Sequence, residues 1–425
     1  MNQKSKSFKN PFYLFLLILS GEAIFILPFV LPRIFRPTVM DVFNLNNVEL
    51  GLCFSAYGAV AMASYLFGGP IADRYPPRKL IAISLWATAL GGFFMTSFPG
   101  LLGLQILYGF WGFTTIFLFW APMIKATRVW GGKTSQGKAF GISDGGRGLV
   151  GAAIGSLGVL VFALFSPEEA INSPLESRQE TFKYVIWLFS FFILLVGFLV
   201  WFFLKVEGKN EEEGSVKTIS ISQLKAVLKL PSVWLLMMII LCAYVGYKVT
   251  DIFSLYAQVV MGYDEIYSAQ IGTFLLVMRP IVGISFGLIA DKTNTTLWLW
   301  ISFVLSALGS LLFASGIIGP NHVVLFFFSA IFLATGVFAL RALYYAVMEK
   351  GQIPLMLTGT AVGVISLVGY TPDVFAGPAM GYFLDEFPGE LGHQYVFGLL
   401  SAFSLLGGLA AYIFHKKYGG KEAKV

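Results

Sequence analysis

Charge, cysteine and histidine are scarce in this sequence. Only 12% of its 425 residues are Asp, Glu, Lys or Arg, about half the ~25% usual for a soluble domain. That shortage excludes a chain that keeps itself in water with a charged surface. The two cysteines, Cys53 and Cys242, lie inside apolar runs in opposite halves, so no disulfide framework is expected and both read as small core residues. The three histidines, His322, His393 and His415, fall at the ends of apolar runs, which argues against a histidine relay. The sequence holds no metal-ligand cluster, no phosphate-cradling P-loop and no nucleophile with a nearby base, so neither an enzyme, a cofactor nor an ATP-driven pump is expected. Gly146-Arg147-Gly148-Leu149-Val150-Gly151 has the spacing of a dinucleotide fingerprint. It follows no strand and lies within an apolar helix, so it is read instead as a small-residue surface for close helix packing.

What the chain has in abundance is apolar length. Some 57% of its residues are hydrophobic, and a helix of about 20 apolar residues crosses a bilayer. The runs predict helices at 12–38, 49–72, 79–98, 101–126, 138–166 and 182–204, then at 231–260, 266–290, 295–317, 322–348, 356–384 and 391–416. The fold class expected is an all-α membrane protein of twelve transmembrane helices in two six-helix halves. The domains are a first bundle at 1–205, a cytoplasmic linker with a short amphipathic helix at 206–230, and a second bundle at 231–425. The first run, preceded by Lys4, Lys6 and Lys9, resembles a signal peptide, but it is too long and contains Glu22, so it reads as a retained helix.

Positive charge sets the orientation. Arg74, Arg78 and Lys79, then Lys125, Arg128, Lys133 and Lys138, together with both ends of the chain, cluster on alternate loops. The intervening loops hold little beyond Arg178 and Lys183. By the positive-inside rule both termini are expected in the cytoplasm. The net charge of +6 is then topology rather than a nucleic-acid surface.

The most telling stretch is Gly69-Pro70-Ile71-Ala72-Asp73-Arg74-Tyr75-Pro76-Pro77-Arg78-Lys79, a charged, proline-broken turn between two apolar runs. Gly287-Leu288-Ile289-Ala290-Asp291-Lys292 repeats it about half a chain later, and Asn10-Pro11 before the first helix is echoed by Leu230-Pro231 before the seventh. The chain therefore reads as a duplication. With these residues it resembles the major facilitator superfamily, whose signature between the second and third helices is a glycine, three residues, Asp-Arg and a basic cluster. Pro76 stands where that signature usually has glycine, and Asp73-Arg74-Tyr75-Pro76-Pro77-Arg78 looks most like the organophosphate:phosphate antiporter and related organic-anion branches. The resemblance implies gating at Gly69, Asp73, Arg74, Arg78 and Asp291. It also implies a substrate site between parallel halves with alternating access.

A charge at the bilayer centre costs at least about 2.5–3.5 kcal/mol, so intramembrane ionisable residues are functional candidates. The basic ones are Arg33, Arg36, Arg147, Lys248, Arg279 and Arg341, and the acidic ones Glu22, Asp144, Asp251 and Asp373. Asp144 and Arg147 are three residues apart, as are Lys248 and Asp251, so each pair can meet on one helix face, either neutralising itself or serving transport. Arg279 and Arg341 have no acidic residue within a helical turn; unless another helix supplies one, they leave positive charge for an anion. Arg33 and Arg36 fit either a substrate contact or an outer anion funnel. Glu22, with no basic residue nearby in sequence, is the first candidate to carry a coupled proton unless a distant arginine pairs with it; Asp373 follows, then Asp144 and Asp251. Trp120, Tyr247, Tyr344 and Tyr345 lie near the basic residues and are candidate ligand contacts as well as packing groups.

The expectation is a monomeric secondary active transporter in a bacterial cytoplasmic (inner) membrane. It moves a phosphorylated, sulfonated or carboxylated metabolite by proton coupling or anion exchange, as symporter or antiporter. The alternative is a proton-coupled exporter of amphipathic or cationic compounds. Two drug-antiporter features are missing: Gln105 stands where an arginine precedes Gly109, and Gly151-Ala152-Ala153-Ile154-Gly155-Ser156 where a Gly-Pro pair is usual.

Overall fold

A computed structural model describes residues 10–131, 136–165, 174–205, 221–348, 350–353 and 358–420. The acidic linker stretch Glu211-Glu212-Glu213 lies outside the described residues. Those described form helices joined by short turns.

The expected first helix is broken into α1 (Pro11–Phe25), a π-helical segment (Ile26–Val30), α2 (Leu31–Ile34) and α3 (Arg36–Val42). After α4 (Asn47–Arg74) and α5 (Pro77–Met95), the fourth run is likewise α6 (Leu101–Gly112), a π segment (Phe113–Trp120) and α7 (Ala121–Gly131). A proline sits within or just beyond each π segment, Pro28 and Pro122. Its missing N–H leaves a carbonyl to be satisfied by a wider turn. The first half closes with α8 (Gln136–Phe165) and α9 (Leu175–Phe203).

The amphipathic helix expected after the linker is α10 (Ile221–Leu228). The seventh run is α11 (Pro231–Val249), a 3-10 turn and α12 (Phe253–Val259); α13 (Glu265–Lys292), α14 (Thr295–Ala314) and α15 (Val323–Leu343) follow. The run at 356–384 is cut at Tyr370-Thr371 into α16 (Thr358–Gly369) and α17 (Pro372–Glu386), the bend that Pro372 dictates, and α18 (Glu390–Tyr418) ends the chain. Among the described residues eleven helices are long and apolar enough to span a membrane, and the broken α16–α17 run is not among them.

Helix starts follow local chemistry. Asn46 accepts from the Glu49 N–H while Glu49 accepts from the Asn46 N–H, a reciprocal cap on α4. Pro11 and Pro231 take first helical positions of α1 and α11, where a missing N–H costs nothing.

Two compact units result, Met1–Gly214 with Tyr263–Pro280, and Ser215–Gly262 with Ile281–Val425. In the first, α1 packs on α8 and α9, α4 on α6, and α5 on α9, around a core that takes in Leu276 and Ala269 of α13. In the second, α14 packs on α15 and α18, and α11 on α16 and α18. These interfaces rely on small residues. A Cβ on Gly336 would lie 2.4 Å from the Ser306 nitrogen, and the Ser306–Ser404 and Ser401–Ser310 hydroxyls pair at 3.0 and 2.9 Å. Close backbones and interhelical hydroxyl bonds hold helices together where apolar surface alone gives little preference over lipid. Cys53 and Cys242 are free and buried, as their surroundings predicted.

Candidate functional site

Each unit carries a cluster of ionisable side chains among its apolar helices. In the first, Glu22 of α1 is 2% exposed. Its Oε2 lies 3.3 Å from Arg147 Nε of α8 and its Oε1 3.6 Å from Arg279 Nη1 of α13. Arg279 Nη2 in turn donates to Asp144 Oδ1 at 3.1 Å. The Arg147 guanidinium also lies over the Phe25 and Trp120 rings, 5.5 and 5.8 Å from their centres. Glycines give α1, α8 and α13 this proximity. A Cβ on Gly151 would stand 2.8 Å from Glu22 Oε1, one on Gly148 2.8 Å from Pro280 Cδ, and one on Gly21 3.0 Å from Arg147 Cδ. The small-residue reading of Gly146 to Gly151 thus holds.

Spacing along α8 puts Asp144 and Arg147 on one face, and ion pairs between helices join the same cluster. The packing of α1 and α13 on α8 brings oppositely charged groups to the same level. Glu22, without a basic neighbour in sequence, gains two distant arginines; Arg279, without an acidic neighbour, gains two carboxylates.

In the second unit Lys248 and Asp251, 1% and 2% exposed, approach to 3.8 Å as their spacing predicts. Lys248 also reaches Asp373 at 3.3 Å, and Tyr244 donates its hydroxyl to the same carboxylate at 3.0 Å. The break before Pro372 delivers Asp373 to this point, in the first turn of α17. The Arg341 guanidinium stacks on the Tyr247 ring, 3.9 Å from its centre, with Tyr244 at 6.0 Å. Tyr345 donates to Tyr370 at 3.2 Å and shares a 2.9 Å bond with Ser366, while the Tyr344 hydroxyl is 3.4 Å from that of Tyr370. Tyr370 and Ser366 were not singled out by sequence. Proximity to a helix-breaking proline is the signal that could have marked Tyr370.

Other candidates fall elsewhere. Arg33 and Arg36 are 2% and 1% exposed, and Arg36 donates to Asn47 Oδ1 at 3.1 Å. Beside them Arg178 pairs with Asp41, and Gln179 donates to the Val42 carbonyl at 2.7 Å, which ties the start of α9 to the end of α3. Arg78 is half-buried in the first turn of α5. Gly69, Asp73, Arg74 and Asp291 lie in α4 and α13, but their side chains fall outside the described residues.

Residues 13–374 match the family model described as the Major Facilitator Superfamily. Among curated relatives, the inner membrane protein YqcE of Escherichia coli K12 is 27% identical over 90% of this chain and 89% of its own length. The inner membrane protein YihN of the same strain is 26% identical over 96% of each. Among solved structures, a bacterial homologue of the human lysosomal transporter Spinster, inward-facing and unoccupied, superposes with a TM-score of 0.73. It is 16% identical and the match covers 97% of this chain and 98% of that one. The nucleoside transporter NupG gives 0.69 at 14% identity, over 95% and 99%. At such identities these structures speak for the fold alone.

Proposed function

The chain belongs to the Major Facilitator Superfamily, and from that footing we propose that this membrane transporter carries a small organic anion by alternating access, with proton or anion exchange as the coupling. Its two six-helix halves, divided at the 206–230 linker with both termini cytoplasmic, work as one monomer in a bacterial inner membrane, the compartment in which its curated relatives are named.

The observation that supports this reading most is Glu22 lying between two arginines inside apolar helices. Two guanidinium groups held in the membrane interior are a costly arrangement, and their planar donors suit carboxylate, sulfonate or phosphate. Arg147, Arg279 and Arg341, the last stacked on Tyr247, bind or orient the anion. Glu22 or Asp373 carries the proton. The four charges Glu22, Arg147, Arg279 and Asp144 balance, so an anion arriving without a proton leaves a net negative cluster in a medium of low dielectric. For a monoanion, a proton on Glu22 restores the balance, one proton for each anion carried. Arg33, Arg36, Lys248, Trp120, Tyr344 and Tyr345 complete the binding residues, and Gly69, Asp73, Arg74, Arg78 and Asp291 the gate.

One observation favours a second reading. Two carboxylates, Asp251 and Asp373, lie against Lys248 inside the second unit, acidic groups that suit a cationic cargo and an exporter of amphipathic compounds. A thermal-shift screen of purified protein separates the two, using phosphorylated, sulfonated and carboxylated metabolites beside lipophilic cations. Ligand at 100 times its dissociation constant stabilises by about 2.7 kcal/mol. Stabilisation by an anion class supports anion transport; stabilisation by the cations alone replaces it with the export reading.

A further inference from the structure

Resting on the anion reading above, we propose that Arg147 and Arg279 form a single anion site now filled by the chain's own Glu22 carboxylate, which the transported anion's head group displaces. Glu22 gives one oxygen to each guanidinium, Oε2 to Arg147 at 3.3 Å and Oε1 to Arg279 at 3.6 Å. A carboxylate, sulfonate or phosphate group bridging two arginines uses its oxygens in the same way.

Charge neutrality alone does not require this sharing. Arg147 with Glu22 and Arg279 with Asp144 are already two balanced pairs; the additional Glu22–Arg279 contact makes the carboxylate a bridge. Each arginine is also held by something other than Glu22. Asp144 accepts from Arg279 Nη2 at 3.1 Å, and the Phe25 and Trp120 rings flank the Arg147 guanidinium. Both cations therefore stay placed when Glu22 withdraws. Of the two carboxylates, Glu22 has the longer and more rotatable side chain. The backbone facing its carboxylate is Gly151, where a Cβ would stand 2.8 Å from Oε1. The carboxylate thus packs closely against bare backbone on that side. Glu22 is a built-in competitor for the site.

Chemical rescue tests this without knowing the substrate. In Glu22→Ala the site has lost its occupant, so sodium acetate, at ionic strength held constant with chloride, is expected to raise the melting temperature saturably. Wild type should need an acetate concentration higher by about tenfold or more, the ratio that corresponds to a 1.4 kcal/mol difference. The rescue should vanish in Glu22→Ala with Arg279→Gln. Methanesulfonate and phosphate run in parallel show which head group fits best. Should Glu22→Ala not fold, Glu22→Gln keeps the side-chain shape and is expected to reach half-saturation at lower acetate than wild type. Equal acetate dependence in wild type and in the variant obtained overturns the proposal. Acetate rescue alongside a wild-type protein that moves no organic anion keeps the site and removes the transport reading. Anion transport with no acetate difference does the reverse.

Discussion

Glu22 Oε1 of the first membrane helix lies 3.6 Å from Arg279 Nη1 of α13, so a carboxylate near one end of the sequence meets an arginine from its second half. Removing one partner of a buried pair leaves the other charge uncompensated, a loss of about 3–5 kcal/mol. Glu22→Ala should therefore lower the melting temperature in detergent markedly. Asp144, whose side chain is 47% exposed, is screened by its surroundings and contributes less. Asp144→Asn should cost clearly less than Glu22→Ala, and the reverse order would show that the Arg279–Asp144 contact holds the cluster.

Gly151 tests the same relationship sterically. An added Cβ meets Glu22 Oε1 at 2.8 Å, whereas at Gly283 it meets nothing within 4 Å. Gly151→Ala is expected to destabilise by about 1–3 kcal/mol, as overpacking does. Gly283→Ala should be neutral or stabilising by up to about 1 kcal/mol, from the lower entropy of the unfolded chain. Melting curves of the two variants side by side decide this.

In the second unit, Lys248 faces Asp251 and Asp373. Lys248→Met removes the ammonium that both carboxylates approach, so it should be more damaging than Lys248→Met combined with Asp373→Asn. A double-mutant cycle read by thermal unfolding should show coupling of about 0.5–3 kcal/mol. Additive effects would mean the 3.3 Å contact carries no energy.

The Arg341 guanidinium on Tyr247 is a contact with the face of a ring. Tyr247→Phe keeps that face and should leave substrate affinity nearly unchanged. Tyr247→Leu removes it and should weaken anion binding by about 0.5–2 kcal/mol, the range for such contacts. Equal loss in both variants would assign the effect to the Tyr247 hydroxyl.

Much of the fold was legible because a bilayer imposes it: apolar runs mark the spans, prolines mark the starts of α1, α5 and α11, and Pro372 marks the cut between α16 and α17. The π segments were not legible, since a single helical period fits a run whether or not one turn is widened. At the site, Lys248 and Asp251 could be paired from spacing because both partners lie on one stretch of helix. Glu22, Arg147, Arg279 and Asp144 could each be named from their cost in a membrane, but not joined. Their partnership depends on how α1, α8 and α13 pack, which no local spacing encodes.

The most direct test is counterflow in proteoliposomes, with wild type, Arg279→Gln and Arg341→Gln each loaded with the anion class that stabilises the purified protein. The account predicts exchange by wild type and loss of exchange in both variants while folded protein is retained. Undiminished exchange in both, or exchange of lipophilic cations alone, would contradict it.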